Sequence, residues 1–156
     1  MDKELTEGAK APDFEAATDG NGSLKLSSLM GKNVVLYFYP KDDTPGCTKE
    51  SCGFAKMYNE FTGMGAEIVG VSKDSVARHD KFKAKYDLPF TLVSDDDGAI
   101  CEAYGVWREK KNYGRTYMGI ESSTFLIDKK GKVVRVWRKV KVSGHIEAVM
   151  DSLAAL

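Results

Sequence analysis

Two cysteines five residues apart, Cys47 and Cys52, stand in the segment Y-P-K-D-D-T-P-G-C-T-K-E-S-C, directly after the apolar run Val34–Tyr39. If that run is a strand, its end delivers the first thiol to the opening turn of a helix and leaves the second inside it. A helix start carries unpaired N–H groups and about half a positive charge, which favour thiolate over thiol. Pro45 tolerates a first helical turn but no later one, and Gly46 lets the backbone approach closely. Thr44 is placed to cap the helix or to aim its hydroxyl at a sulfur or a bound oxygen. A plain buried cysteine beside a cap would leave the Thr-Pro-Gly run and the second thiol without a purpose.

Spacing sets the next constraint. Residues five apart on a helix are rotated by about 140° and displaced by about 7.5 Å along its axis. That exceeds the reach of a disulfide, roughly 7 Å between Cα atoms, so bonding requires local unwinding. A two-conformation cycle follows. In the folded form Cys47 attacks a peroxide oxygen and becomes a sulfenic acid. In the unwound form Cys52 attacks that sulfur, water leaves, and an external dithiol reduces the resulting disulfide. Gly53 eases the unwinding, since glycine disfavours helix by about 1 kcal/mol relative to alanine. The competing reading makes Cys52 a core residue on the face of Phe54, Met57 and Tyr58.

The elements that must position these thiols are legible in outline. Asp19–Gly22 is a hairpin-type turn before the alternating run Ser23–Leu26, and Asn33–Tyr39 reads as a strand buried on both faces. Pro40 ends it. A helix is predicted from Cys47 to about Thr62, then a strand over Ala66–Ser72, a helix over Ser75–Tyr86 and a short strand over Thr91–Ser94. A turn at Asp95–Gly98, a short helix over Ala99–Tyr104, a hairpin of Ser123–Asp128 with Lys132–Arg138, and a helix capped by Ser143 complete the pattern. This order gives an α/β fold, a mixed sheet with helices on its faces, whose sites lie beyond the carboxyl ends of strands.

The 156 residues suit one domain, 1–156, with one sizeable core. Lys+Arg and Asp+Glu are equal at 23 each, so no basic excess argues for a nucleic-acid or membrane partner. The polar opening MDKELTEGAKAPDF has no signal-peptide core, and a reducing cytoplasm is the expected compartment, where paired cysteines do redox chemistry or bind metal.

These residues resemble the peroxiredoxins, and most closely the peroxiredoxin Q (bacterioferritin-comigratory-protein) subgroup. The signature P-x-x-x-T-x-x-C stands as Pro40, Thr44 and Cys47, and a cysteine five positions on, Cys52, matches the subgroup's resolving arrangement. Ala11–Phe14, Gly70–Asp74 and Ser123–Asp128 extend the likeness along nearly the whole chain. The resemblance implies a thioredoxin-like fold and the reduction of hydrogen peroxide and organic hydroperoxides; a monomer, with an N-terminal hairpin added to the fold, is expected. It implies electrons from thioredoxin or a similar dithiol protein, with no metal or organic cofactor. Pro40 would shield the sulfur, and Thr44 would hydrogen-bond the peroxide. One position departs: where the family carries an arginine, two residues before the S/T-F-L-I-D core, this chain has Ser122. Arg115 is the candidate substitute, against its reading as a solvated loop arginine. A less acidic Cys47 and slower turnover are expected.

Other residues read more plainly. Cys101 is expected in the core, His79 and His145 at the surface, Asp95–Gly98 as a turn rather than a calcium loop, and Trp107–Lys111 as a solvated loop. The cysteine spacing does not suit a structural zinc site, and the C-x-x-C of disulfide oxidoreductases is missing. A redox-sensing binding module, toggled by the 47–52 disulfide, is the alternative from another class.

Overall fold

The computed structural model describes residues 5–156. The central strand is β3 (Asn33–Phe38), every residue of which is buried. Parallel to it run β4 (Ala66–Ser72) and then β5 (Thr91–Ser94). On its other side β8 (Ser123–Ile127) and β9 (Val133–Trp137) pair antiparallel. The hairpin of β1 (Glu15–Thr18) and β2 (Gly22–Lys25) closes the edge beyond β5, giving the order β2-β1-β5-β4-β3-β8-β9. This is the mixed sheet of a thioredoxin-like fold, with the N-terminal hairpin added.

The lack of polar/apolar alternation in β3 follows from its position between two apolar layers. Leu36 and Phe38 face one layer with Val69, Val71, Cys101, Tyr104 and Phe125. Val35, Tyr37 and Tyr39 face the other, where α1 (Pro45–Lys56), α2 (Tyr58–Gly63), α3 (Val76–Tyr86) and α5 (His145–Ala154) bring Phe54, Phe61, Phe82 and Val149. The short α4 (Ala99–Ala103) belongs to the first layer. Asp95 caps it, its carboxylate accepting from the Ile100 and Cys101 N–H groups at 3.0 and 2.8 Å. Cys101 is thus fully buried, the core residue its sequence suggests.

Several boundaries differ from the sequence reading. The helix expected over 47–62 begins two residues earlier and breaks at Met57. The break turns Tyr58 toward Glu67, to which its hydroxyl donates at 2.9 Å, while Phe61 stays against Phe54. Ser75, expected inside the helix, instead caps α3, accepting from the Arg78 N–H at 3.2 Å. Gly144, not Ser143, precedes α5, its φ of 75° lying where glycine is favoured. The expected loop at Trp107–Lys111 is a strand, β6 (Trp107–Asn112), paired with β7 (Arg115–Ile120). The cue was the turn Tyr113–Gly114, both at positive φ, which joins two strands by two residues.

Candidate active site

The loop 40–44 leaves the carboxyl end of β3 and feeds α1, the place where open α/β sheets build sites. Pro45 occupies the first turn, so Cys47 lies near the helix start, behind Thr44 at the N-cap. Thr44 makes no side-chain cap there. Its hydroxyl instead donates to the Lys41 carbonyl at 2.9 Å, a bond it exchanges when it turns the same proton to an ionised Cys47 sulfur. Pro40, Thr44, Gly46, Cys47, Glu50, Ser122, Val140 and Val142 line a cavity of about 240 Å³. A larger cavity, of about 510 Å³, lies beside α4 and β1 among Asp13, Asp95 and Tyr104, and holds neither Cys47 nor Cys52.

Cys47 is 7% exposed. Burial pushes its thiol above the ordinary value; the Thr44 hydroxyl and the Lys41 backbone pull it down, Glu50 pushes it up, and Lys110 pulls it down. The net direction is upward, the reverse of the acidic thiol expected from a helix start alone. The cause is desolvation without a nearby guanidinium, for position 122 carries a neutral hydroxyl. Arg115 does not fill that role. It is exposed at the tip of the β6–β7 hairpin, on a strand rather than a loop, and lies outside the cavity lining.

Cys52 sits on the same unbroken helix, partly exposed, and all three cysteines are free thiols. Its thiol is also pushed up by burial. The helix is held on β3 by a hydrogen bond of 2.8 Å between the Tyr37 and Ser51 hydroxyls. Gly53 has a packing role that its sequence did not disclose: a Cβ there would lie 3.0 Å from Ile146 Cγ1 on α5.

Both histidines are buried, contrary to the surface expectation. His79 is fully enclosed, with Nδ1 2.7 Å from Asp42 Oδ2 and Nε2 2.9 Å from the Val93 carbonyl. A carbonyl only accepts, so Nε2 carries a proton, and the Asp42 carboxylate takes the second. Burial alone would lower its pKa, but Asp42 carries it above the ordinary value. Asp42 also accepts from Tyr39 Oη at 2.6 Å, and its N–H donates to Asp74 at 2.8 Å. Asp43 binds Lys85 and Tyr86 of α3. The loop bearing Pro40 and Thr44 is therefore fastened to α3 and to Asp74, two residues beyond β4. His145 hydrogen-bonds Thr124 Oγ1 at 2.8 Å and approaches Glu50 Oε2 at 3.8 Å. The second contact is not an ion pair: burial raises Glu50 to about 8 and lowers His145 to about 4, so between those values both are neutral.

Sequence reasoning missed Asp42, His79 and Glu50. Glu50 was findable, because it lies three residues after Cys47 on one helix face. Asp42 and His79 meet only through the fold.

A free cysteine near a helix start, at the carboxyl edge of a thioredoxin-like sheet and in one cavity with Pro40 and Thr44, fits a thiol peroxidase, and the missing C-x-x-C sets it apart from the disulfide oxidoreductases that share this placement. The profile of the AhpC/TSA family matches residues 8–136. The chain is similar to peroxiredoxin Bcp of Bacillus subtilis, 52% identical over 94% of this chain and 93% of the relative. Peroxiredoxin Bcp of Xanthomonas campestris is 49% identical over 92% and 89%. Among solved structures, Xylella fastidiosa PrxQ superposes with a TM-score of 0.93 over 98% of both chains at 39% identity. The Xanthomonas campestris bacterioferritin comigratory protein, whose structures address alkyl peroxide reduction, gives 0.87 at 48% identity, covering 91% of this chain and 90% of the other. The chain belongs to the AhpC/TSA family, in its peroxiredoxin Q (Bcp) group.

Proposed function

We propose that this peroxidase reduces hydrogen peroxide and organic hydroperoxides by an atypical two-cysteine cycle. Cys47 attacks the terminal peroxide oxygen, the O–O bond breaks, and the sulfur becomes a sulfenic acid as water or an alcohol leaves. The Thr44 hydroxyl, 2.9 Å from the Lys41 carbonyl, hydrogen-bonds the peroxide through its lone pairs and its rotatable proton. Pro40 restricts water at the sulfur. The valine walls, Val140 and Val142, offer apolar room for an alkyl group. Cys52 then attacks the oxidised sulfur once the first turns of α1 unwind, and thioredoxin or a similar dithiol protein reduces the disulfide.

The observation that carries this reading is the cavity bringing Pro40, Thr44 and Cys47 together at the start of α1. We infer a monomeric, cytoplasmic enzyme. Among the described residues the exposed large apolar side chains are Tyr113, Tyr117 and Met118 on the hairpin and Met30 and Leu156 elsewhere. Among the described residues no helix is long and apolar enough to cross a membrane.

The test couples peroxide consumption to a thioredoxin system. Cys47→Ser abolishes activity; Cys52→Ser traps Cys47 as sulfenic acid or mixed disulfide and stops turnover by thioredoxin. Full activity in Cys47→Ser refutes the scheme. Sedimentation before and after oxidation checks the monomer.

A further inference from the structure

We propose that Glu50 is the proton-transfer group of this peroxidase, taking the Cys47 thiol proton and returning it to the leaving oxygen. The inference rests on Cys47 being the attacking sulfur. Glu50 is 2% exposed, lies one turn beyond Cys47 on α1 and lines the same cavity. Its Oε2 has no hydrogen-bond partner among the described residues. A buried carboxyl oxygen left unpaired is costly, and such a cost persists where the group serves the chemistry.

No neighbouring charge holds this carboxyl ionised. From α5, His145 stands 3.8 Å away but burial keeps it neutral. From β3, Tyr37 faces it with a hydroxyl whose pKa burial pushes well up. Cys47 lies on its own helix, Lys110 of β6 acts on that sulfur, and position 122 presents a serine. Desolvation therefore sets Glu50 near 8, close to the pH at which a shuttle must both accept and give a proton.

The step balances. The Cys47 proton passes to Glu50, Sγ bonds the terminal peroxide oxygen, and the O–O bond breaks with its electron pair on the leaving alkoxide or hydroxide. Glu50 then protonates that oxygen. Sulfur loses two electrons, the peroxide gains two, and Glu50 ends as it began. The active enzyme carries one proton shared between the two groups, so its titration belongs to the pair.

Glu50→Gln decides the matter, because electrostatics and proton transfer predict opposite signs. Removing a carboxylate beside Cys47 eases thiolate formation, so alkylation by iodoacetamide, whose leaving iodide needs no proton, is as fast or faster. Oxidation by hydrogen peroxide falls about a hundredfold or more, the usual scale of general acid–base catalysis. The wild-type peroxide profile is bell-shaped, whereas alkylation rises monotonically with pH; Glu50→Gln loses the bell and Glu50→Asp keeps it. Undiminished peroxide oxidation in Glu50→Gln overturns the proposal, and so does an equal loss of alkylation, which marks a merely structural role. If Glu50→Gln does not fold, a wild-type peroxide profile that tracks alkylation overturns it alone. Peroxidase activity surviving Cys47→Ser instead refutes the underlying assignment of the sulfur.

Discussion

At the scale of single residues, the chemistry turns on how a buried sulfur is kept reactive. Cys47 has a hydroxyl, a backbone hydrogen bond and the charge of Lys110 in its favour, and desolvation against it. A cation within about 4–6 Å lowers a thiol's pKa by about one to three pH units. Ser122→Arg places one in the cavity and is expected to move the midpoint of the thiolate absorbance titration down by at least about one pH unit. Peroxide oxidation at neutral pH should rise with it. Arg115→Ala should change neither, because that side chain stands at the hairpin tip. An unchanged titration in Ser122→Arg would show that burial, not missing charge, fixes the thiol. The importance of position 122 was legible from the motif, but the upward displacement of the thiol was not, since desolvation depends on packing that Cys47's neighbours in sequence do not supply.

At the scale of elements, α1 must be firm enough to aim Cys47 and loose enough to release it. Cys47 and Cys52 share one uninterrupted helix, so disulfide formation requires that its first turns melt. Stoichiometric peroxide is therefore expected to reduce the far-ultraviolet helical signal by a few residues' worth in the wild type, reversibly with dithiothreitol, and not in Cys52→Ser. Tyr37→Phe deletes the hydrogen bond that pins Ser51 to β3. Leaving that buried hydroxyl unpaired costs about 1 kcal/mol, so local opening and the rate of disulfide formation should rise about fivefold, as read by quenched thiol titration. Much of this element was legible: the Thr-Pro-Gly start, the apolar face and the two cysteines are local signals. Its break at Met57 was not, because no proline or glycine marks it and the cause lies in Glu67 and Phe61. The β6 strand was missed for a related reason. Its charged residues satisfy no core, and only pairing with β7 makes it a strand.

At the scale of the whole molecule, the fold was legible because β3 and β4 are continuous apolar runs, whereas the buried polar network was not, because its partners lie far apart in sequence, Asp42 and His79 by 37 residues. That network sets how stability responds to pH. His79 has a raised pKa in the fold, so its contribution is complete below the ordinary histidine value and is lost as pH rises through the folded one. Glu50 acts in the same direction: raised to about 8, it favours the fold while protonated and penalises it increasingly between about pH 4.5 and 8. His145, lowered to about 4, opposes them, because stability falls as pH drops from about 6.5 toward 4. The melting temperature should therefore be highest near pH 6 and decline on both sides. Glu50→Gln isolates one contribution, since glutamine resembles the protonated acid and never ionises. Wild type and variant should melt together near pH 4, and at pH 8.5 the variant should be higher by at least about 3 °C, the effect of a tenfold change in the folding equilibrium for a chain of this length. Differential scanning calorimetry across that range decides it. Parallel curves would mean that Glu50 is solvated in solution, and they would remove the buried proton on which its catalytic role depends.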